Sequence, residues 1–129
     1  MRAKIGLAAL ALTVSISSTA SAGWVENRSQ WNALGPNKIT YVVGLSDGMI
    51  IADSTPYGDA MAFGMHRCVK ELGITGADLV TMIDAAYAAD VVNWSKAPAS
   101  LFFTEMFRMC RTQINHERAQ RGLDLIPEN

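Results

Sequence analysis

Two cysteines, Cys68 and Cys110, stand alone in a 129-residue chain whose start reads as an export signal. Arg2 and Lys4 form a basic beginning, Ile5 to Ile16 is an apolar run, and Ala20-Ser21-Ala22 fits an A-x-A cleavage site. Cleavage is predicted after Ala22, with release into the periplasm. The run is too short for a helix that must cross roughly 30 Å of hydrocarbon. No other long apolar run follows, so no membrane span is expected. Export places both thiols in an oxidising compartment, where pairing is the expected state. A metal pair or a redox thiol is the rival reading, but neither Cys-x-x-Cys spacing nor a redox motif is present. A cross-link over such a loop stabilises by about 4 kcal/mol in the chain-entropy model.

That staple matters because the exported chain is small. Removing 22 of 129 residues leaves 107, one domain with little margin for a core. The signal carries two bases and no acids, so 9 Lys+Arg remain against 12 Asp+Glu, a net charge of −3. A mildly acidic balance argues against nucleic acid and anionic membrane surfaces as partners.

Pro36 to Asp53 is the most apolar stretch after the signal. Ile39, Val42, Val43, Leu45, Met49 and Ile50 recur at helical intervals, and Pro36 suits a first turn. The β-branched residues make a strand the competing reading, but Ser46-Asp47-Gly48 would interrupt it. Gly44 and Gly48 lie one turn apart and predict a side of this helix for close packing, together with Tyr41 and Asp47. Upstream, Ser29 is the expected cap of a short helix through Trp31 and Leu34. Downstream, Asp59 is the expected cap of a helix over Ala60 to Leu72, with Gly73 as its stop. Thr75 and Asp78 have the spacing of a capping box for a helix from Gly76 to about Ala89. Pro98 opens a last helix running to about Gln120, with Phe103, Phe107, Cys110 and Ile114 as its buried stripe and Gly122 as its stop. Residues 122–129 read as a flexible tail. The whole is an all-α domain of about four helices, 23–129, closed by one disulfide.

No phosphate loop, nucleophile elbow or zinc-protease motif occurs. His66 and His116 lack an activated nucleophile and read as surface or capping histidines. Met61, Met65 and His66 together raise the thought of Cu(I), but core packing of Met61, Phe63 and Met65 accounts for them better. Asp84 and Asp90 flank Tyr87 without a shared pocket and read as solvated charges. Neither metal nor cofactor is expected, and the chain reads as a binder rather than an enzyme.

Three pieces carry a resemblance: Tyr41-Val42-Val43-Gly44-Leu45-Ser46-Asp47-Gly48, then Cys68 followed by Ile74-Thr75-x-x-Asp78-Leu79, then Tyr87 to Asn93 before a long helix. Their order resembles the Rap/Tai amidase-immunity group of type VI secretion and its periplasmic relatives, over about residues 31–114. Ile39-Thr40 precede Tyr41 where that group often has a cysteine, and Val69-Lys70 follow Cys68 where a proline is frequent. The resemblance implies an immunity protein that plugs a cell-wall amidase toxin in the periplasm. Such a protein needs a rigid scaffold and presented loops, here Asp53–Asp59 and Asp90–Ala97. Trp94, Asn93, Lys96 and Tyr57 are the partner-binding candidates, with Trp94 as anchor. Core closure by Trp94 is the plainer reading. An acid-stress holdase is the alternative function, a homodimer through the glycine-bearing helix is open, and an enzyme ranks last.

Overall fold

Short polar side chains or prolines set the starts of most helices among the described residues. The computed structural model describes residues 24–49 and 55–127. The signal at 1–22 lies outside them, as do Ile50 to Asp53. Helix α1, Arg28–Ala33, begins at Asn27, whose side chain accepts from the Gln30 N–H. Ser29, the expected cap, is inside the helix. A 3-10 turn, Gly35–Asn37, holds Pro36 and leads into α2, Lys38–Met49. The β-branched residues from Ile39 to Val43 are therefore helical. Helix α3, Pro56–Leu72, starts earlier than its hydrophobic pattern suggests. Thr55 caps it by accepting from the Gly58 N–H, and Pro56 takes the first position, where a missing N–H costs nothing. Asp59 is a first-turn carboxylate on the positive end of the helix instead of the cap.

Gly73 ends α3 at φ +63, a conformation that a side chain disfavours. The Thr75–Asp78 capping box then starts α4, Gly76–Ala89, as the spacing predicts. The expected single last helix is two helices, α5 (Pro98–Met109) and α6 (Arg111–Gln120). Cys110 leaves the helical well at the junction, with ψ 11. This bend lets α5 pack on α4 while α6 turns to lie along α3. The described residues thus hold six α-helices and no strand.

Helix α4 packs against both α2 and α5, and α6 pairs with α3. Trp31, Val42, Met65, Cys68, Ile83, Phe102, Met106, Cys110 and Ile114 fill the core. The buried stripe of α5 and α6 therefore runs through Phe102, Met106, Cys110 and Ile114. Phe103, expected inside, is exposed, and so is Met109.

Helices α3 and α6 approach to backbone contact. A Cβ placed on Gly64 would lie 2.5 Å from the Ile114 Cα and 2.7 Å from its backbone nitrogen. One turn further along α3, Cys68 is bonded to Cys110, which stands one turn before Ile114 at the start of α6. Their Cα atoms are 5.4 Å apart and both residues are fully buried. Polar ties cross the same pair of helices at the surface, including Gln113 to Glu71 at 3.1 Å and Arg67 to Glu117 at 3.7 Å. Gly44 and Gly48 do not serve this purpose. A Cβ on either meets nothing among the described residues within 4 Å, and both are exposed.

The expected loose tail is tied in part to α6. Asn115 exchanges two hydrogen bonds with the backbone of Ile126, at 2.8 and 2.9 Å. Ile126 packs on the core edge.

Two glycine substitutions separate these assignments. Gly64→Ala drives a methyl into helix backbone and should cost about 1–3 kcal/mol in urea unfolding. Gly44→Ala, in an open helical position, should instead stabilise by up to about 1 kcal/mol.

Candidate binding surfaces

The last turn of α4 leaves carbonyls that no helical N–H can reach. Residues 91–95 fold back as a 3-10 turn to meet them. The Asn93 side-chain amide donates to the Ala86 carbonyl at 2.8 Å, and the Trp94 indole N–H donates to the Tyr87 carbonyl at 2.9 Å. The Tyr87 hydroxyl, in return, donates to the Lys96 carbonyl at 2.7 Å. Lys96 Nζ donates to Asn93 Oδ1 at 2.8 Å, and Asp90 accepts from the Val92 N–H. Three of the sequence candidates, Asn93, Trp94 and Lys96, therefore have their polar atoms engaged in fixing the turn.

Besides Ser95, the residues that the turn itself exposes are apolar. Val91 and Val92 are exposed, and Trp94 is 47 % exposed. The Arg28 guanidinium sits 4.4 Å from the centre of the Trp94 ring. Asn27, Ser29 and Asn32 line the shallow cleft beside it. A flat ring with a stacked cation offers both apolar area and charge to a partner.

Asp84 is more than a solvated charge. It accepts from the fully buried Trp31 indole at 2.7 Å and from Lys38 Nζ at 2.8 Å. Lys38 also lies 4.9 Å from the Trp31 ring, and Tyr41 packs edge-on against that ring at 5.9 Å. Tyr41 thus helps to hold α1 and α2 against α4, while Asp47 is exposed beside a cleft with Ser46 and His66.

Tyr57, the fourth candidate, belongs to a different feature. It lines an apolar pocket of about 280 Å³ with Met49, Met61, Met65, Phe103 and Arg118. Met61 and Met65 do come together here, but His66 lies on the neighbouring cleft. Among the described residues no three His, Cys, Asp or Glu side chains are grouped to hold a metal ion. Sequence reading missed Met49, Phe103 and Arg118 because they come from three helices distant in sequence.

The shifted titrating groups sit at structural joints. Burial pushes the Tyr87 hydroxyl up to about 12, helped by the nearby Tyr41, which burial also raises. Hydrogen bonds from the Thr75 hydroxyl and backbone hold Asp78 below its ordinary value. The hydrogen bond from Arg67 does most to lower Glu71. No helix among the described residues is long and apolar enough to cross a membrane. Comparison of the chain with protein-family models, curated proteins and solved structures gave no match.

Truncating Asp84 to alanine should cost about 1–3 kcal/mol, because the buried Trp31 N–H loses its acceptor. Asp84→Asn retains an acceptor and should cost less in the same urea titration.

Tyr87 gives a pH dependence. Its folded value lies above the ordinary 10.0, so the neutral form stabilises the fold below about pH 10. That contribution is lost as pH rises from 10 toward about 12. Stability measured across pH 9–12 should fall, and Tyr87→Phe should flatten the fall.

Proposed function

We propose that this chain is an exported, non-catalytic binding protein that inhibits a cell-wall amidase toxin, in the manner of an immunity protein. The observation that carries this reading is the hydrogen-bonded turn at 91–95. It presents Val91, Val92 and one face of Trp94 beside Arg28 on a backbone already fixed by Tyr87, Asn93 and Lys96. A surface ordered before contact avoids the entropy of ordering on binding. Tryptophan and arginine are the side chains most often found at the energetic centre of such contacts. The disulfide between α3 and the α5–α6 junction suits an oxidising compartment, as a periplasmic inhibitor requires. The order of the Tyr41–Gly48 helix, Cys68 and the Thr75–Asp78 start adds the resemblance to amidase-immunity proteins. In this role the protein works by covering an active-site cleft.

The neighbouring gene is expected to encode an amidase toxin, and the decisive measurement is titration of the purified chain against that enzyme, with peptidoglycan cleavage as the readout. Inhibition should saturate at one chain per enzyme. Val92→Asp, which leaves the turn's hydrogen bonds intact, should weaken inhibition at least tenfold. Full cleavage at a severalfold excess of the chain would refute the immunity role.

A further inference from the structure

The pocket between the end of α2, the start of α3, α5 and α6 is unlike the rest of the surface. Three thioethers, Met49, Met61 and Met65, form its floor and sides, and Tyr57 and Phe103 stand exposed at its walls. Thioether side chains adapt to the shape of an apolar guest and favour aromatic rings. The volume of about 280 Å³ falls just short of the range of about 300–1,000 Å³ usual for drug-sized ligands and cofactors. It suits one large side chain. Exposed apolar surface gathered around a concavity is the kind that partners cover.

One charged residue lines the pocket, Arg118. Its guanidinium is 5.3 Å from the centre of the Tyr57 ring, and its Nε donates to the Asp124 carbonyl. Those two contacts aim the group, and its terminal nitrogens make no hydrogen bond to any described residue. A fixed cation at the mouth opposes a metal ion at the thioethers and favours an anion beside the guest. A guanidinium matches a carboxylate in a two-bond fork.

We infer that this pocket receives an aromatic side chain of a partner protein, with a carboxylate next to that side chain paired to Arg118. The inference rests on the binding-protein reading above and adds a second attachment, with no lining residue in common with the 91–95 turn. It also states what the partner must carry: an exposed phenyl or phenol ring flanked by Asp or Glu.

The test uses the exported chain with its methionine methyls carbon-13 labelled, titrated with three blocked tripeptides. Acetyl-Glu-Phe-Glu-amide should shift the methyl signals of Met49, Met61 and Met65. Acetyl-Lys-Phe-Lys-amide should bind at least tenfold more weakly, and acetyl-Glu-Ala-Glu-amide should leave these signals in place. Arg118→Glu should reverse the order of the first two peptides, and Arg118→Gln should make them equal. Equal binding of the acidic and basic peptides to the unaltered chain would overturn the inference, as would three unmoved methyls. Contacts in the free protein from the Met61 methyl to Ile50 or Ile51 would also overturn it, because the chain would then fill its own pocket. Shifts that grow with protein concentration alone would assign the pocket to a second copy and sink the inference. The peptides and the toxin report separately. Peptide binding without amidase inhibition leaves the pocket standing and removes the immunity role, and inhibition without a peptide response does the reverse.

Discussion

Backbone touches backbone where α3 crosses α6, and most of the architecture follows from that contact. Gly64 admits Ile114 because it has no Cβ to hold the helices apart. The disulfide one turn away fixes the same pair at the same register. Close approach brings more atoms into van der Waals range, and each such pair contributes little alone but much in sum. Once α6 is set on α3, α5 must leave in another direction, and the bend at Cys110 supplies it. Helix α4 then has α2 on one side and α5 on the other, with Ile83 and Tyr87 buried among them.

Signals that act within a few residues were plain in the sequence. The Thr75–Asp78 box, the Gly73 stop and the stop at Gly122 depend on local hydrogen bonds and on backbone freedom, so they can be found without knowing the fold. The cysteine pairing was legible because only one partner existed. The glycine contact was misplaced for the opposite reason. Gly44 and Gly48 have the spacing of a packing motif, but spacing alone does not say which face meets another helix. Gly64, a single glycine inside its helix, is the one against backbone. The break at Cys110 left no trace because neither glycine nor proline marks it and the apolar period runs through it.

The surface features divide in the same way. Asn93, Trp94 and Lys96 were marked out through the family resemblance, and the loop they occupy was identified, but Asn93 and Trp94 donate to the last carbonyls of α4 and Lys96 braces Asn93. Asp84 passed as a solvated charge because its partners, Trp31 and Lys38, are distant in sequence. The methionine-lined pocket needed three separate helices to be placed before Arg118 could be seen at its mouth.

The ring of bonds through Tyr87, Asn93, Trp94 and Lys96 has a consequence for how such a protein can diversify. Every member of the ring closes a bond for another, so changing any one disturbs several at once. Val91 and Val92 sit on the same turn with side chains outside the ring. Substitution there alters the exposed surface while leaving the support alone. Within this one five-residue turn, Val91 and Val92 are thus free to vary, whereas Trp94, whose indole N–H closes a bond of the ring, is exposed and yet bound to the fold.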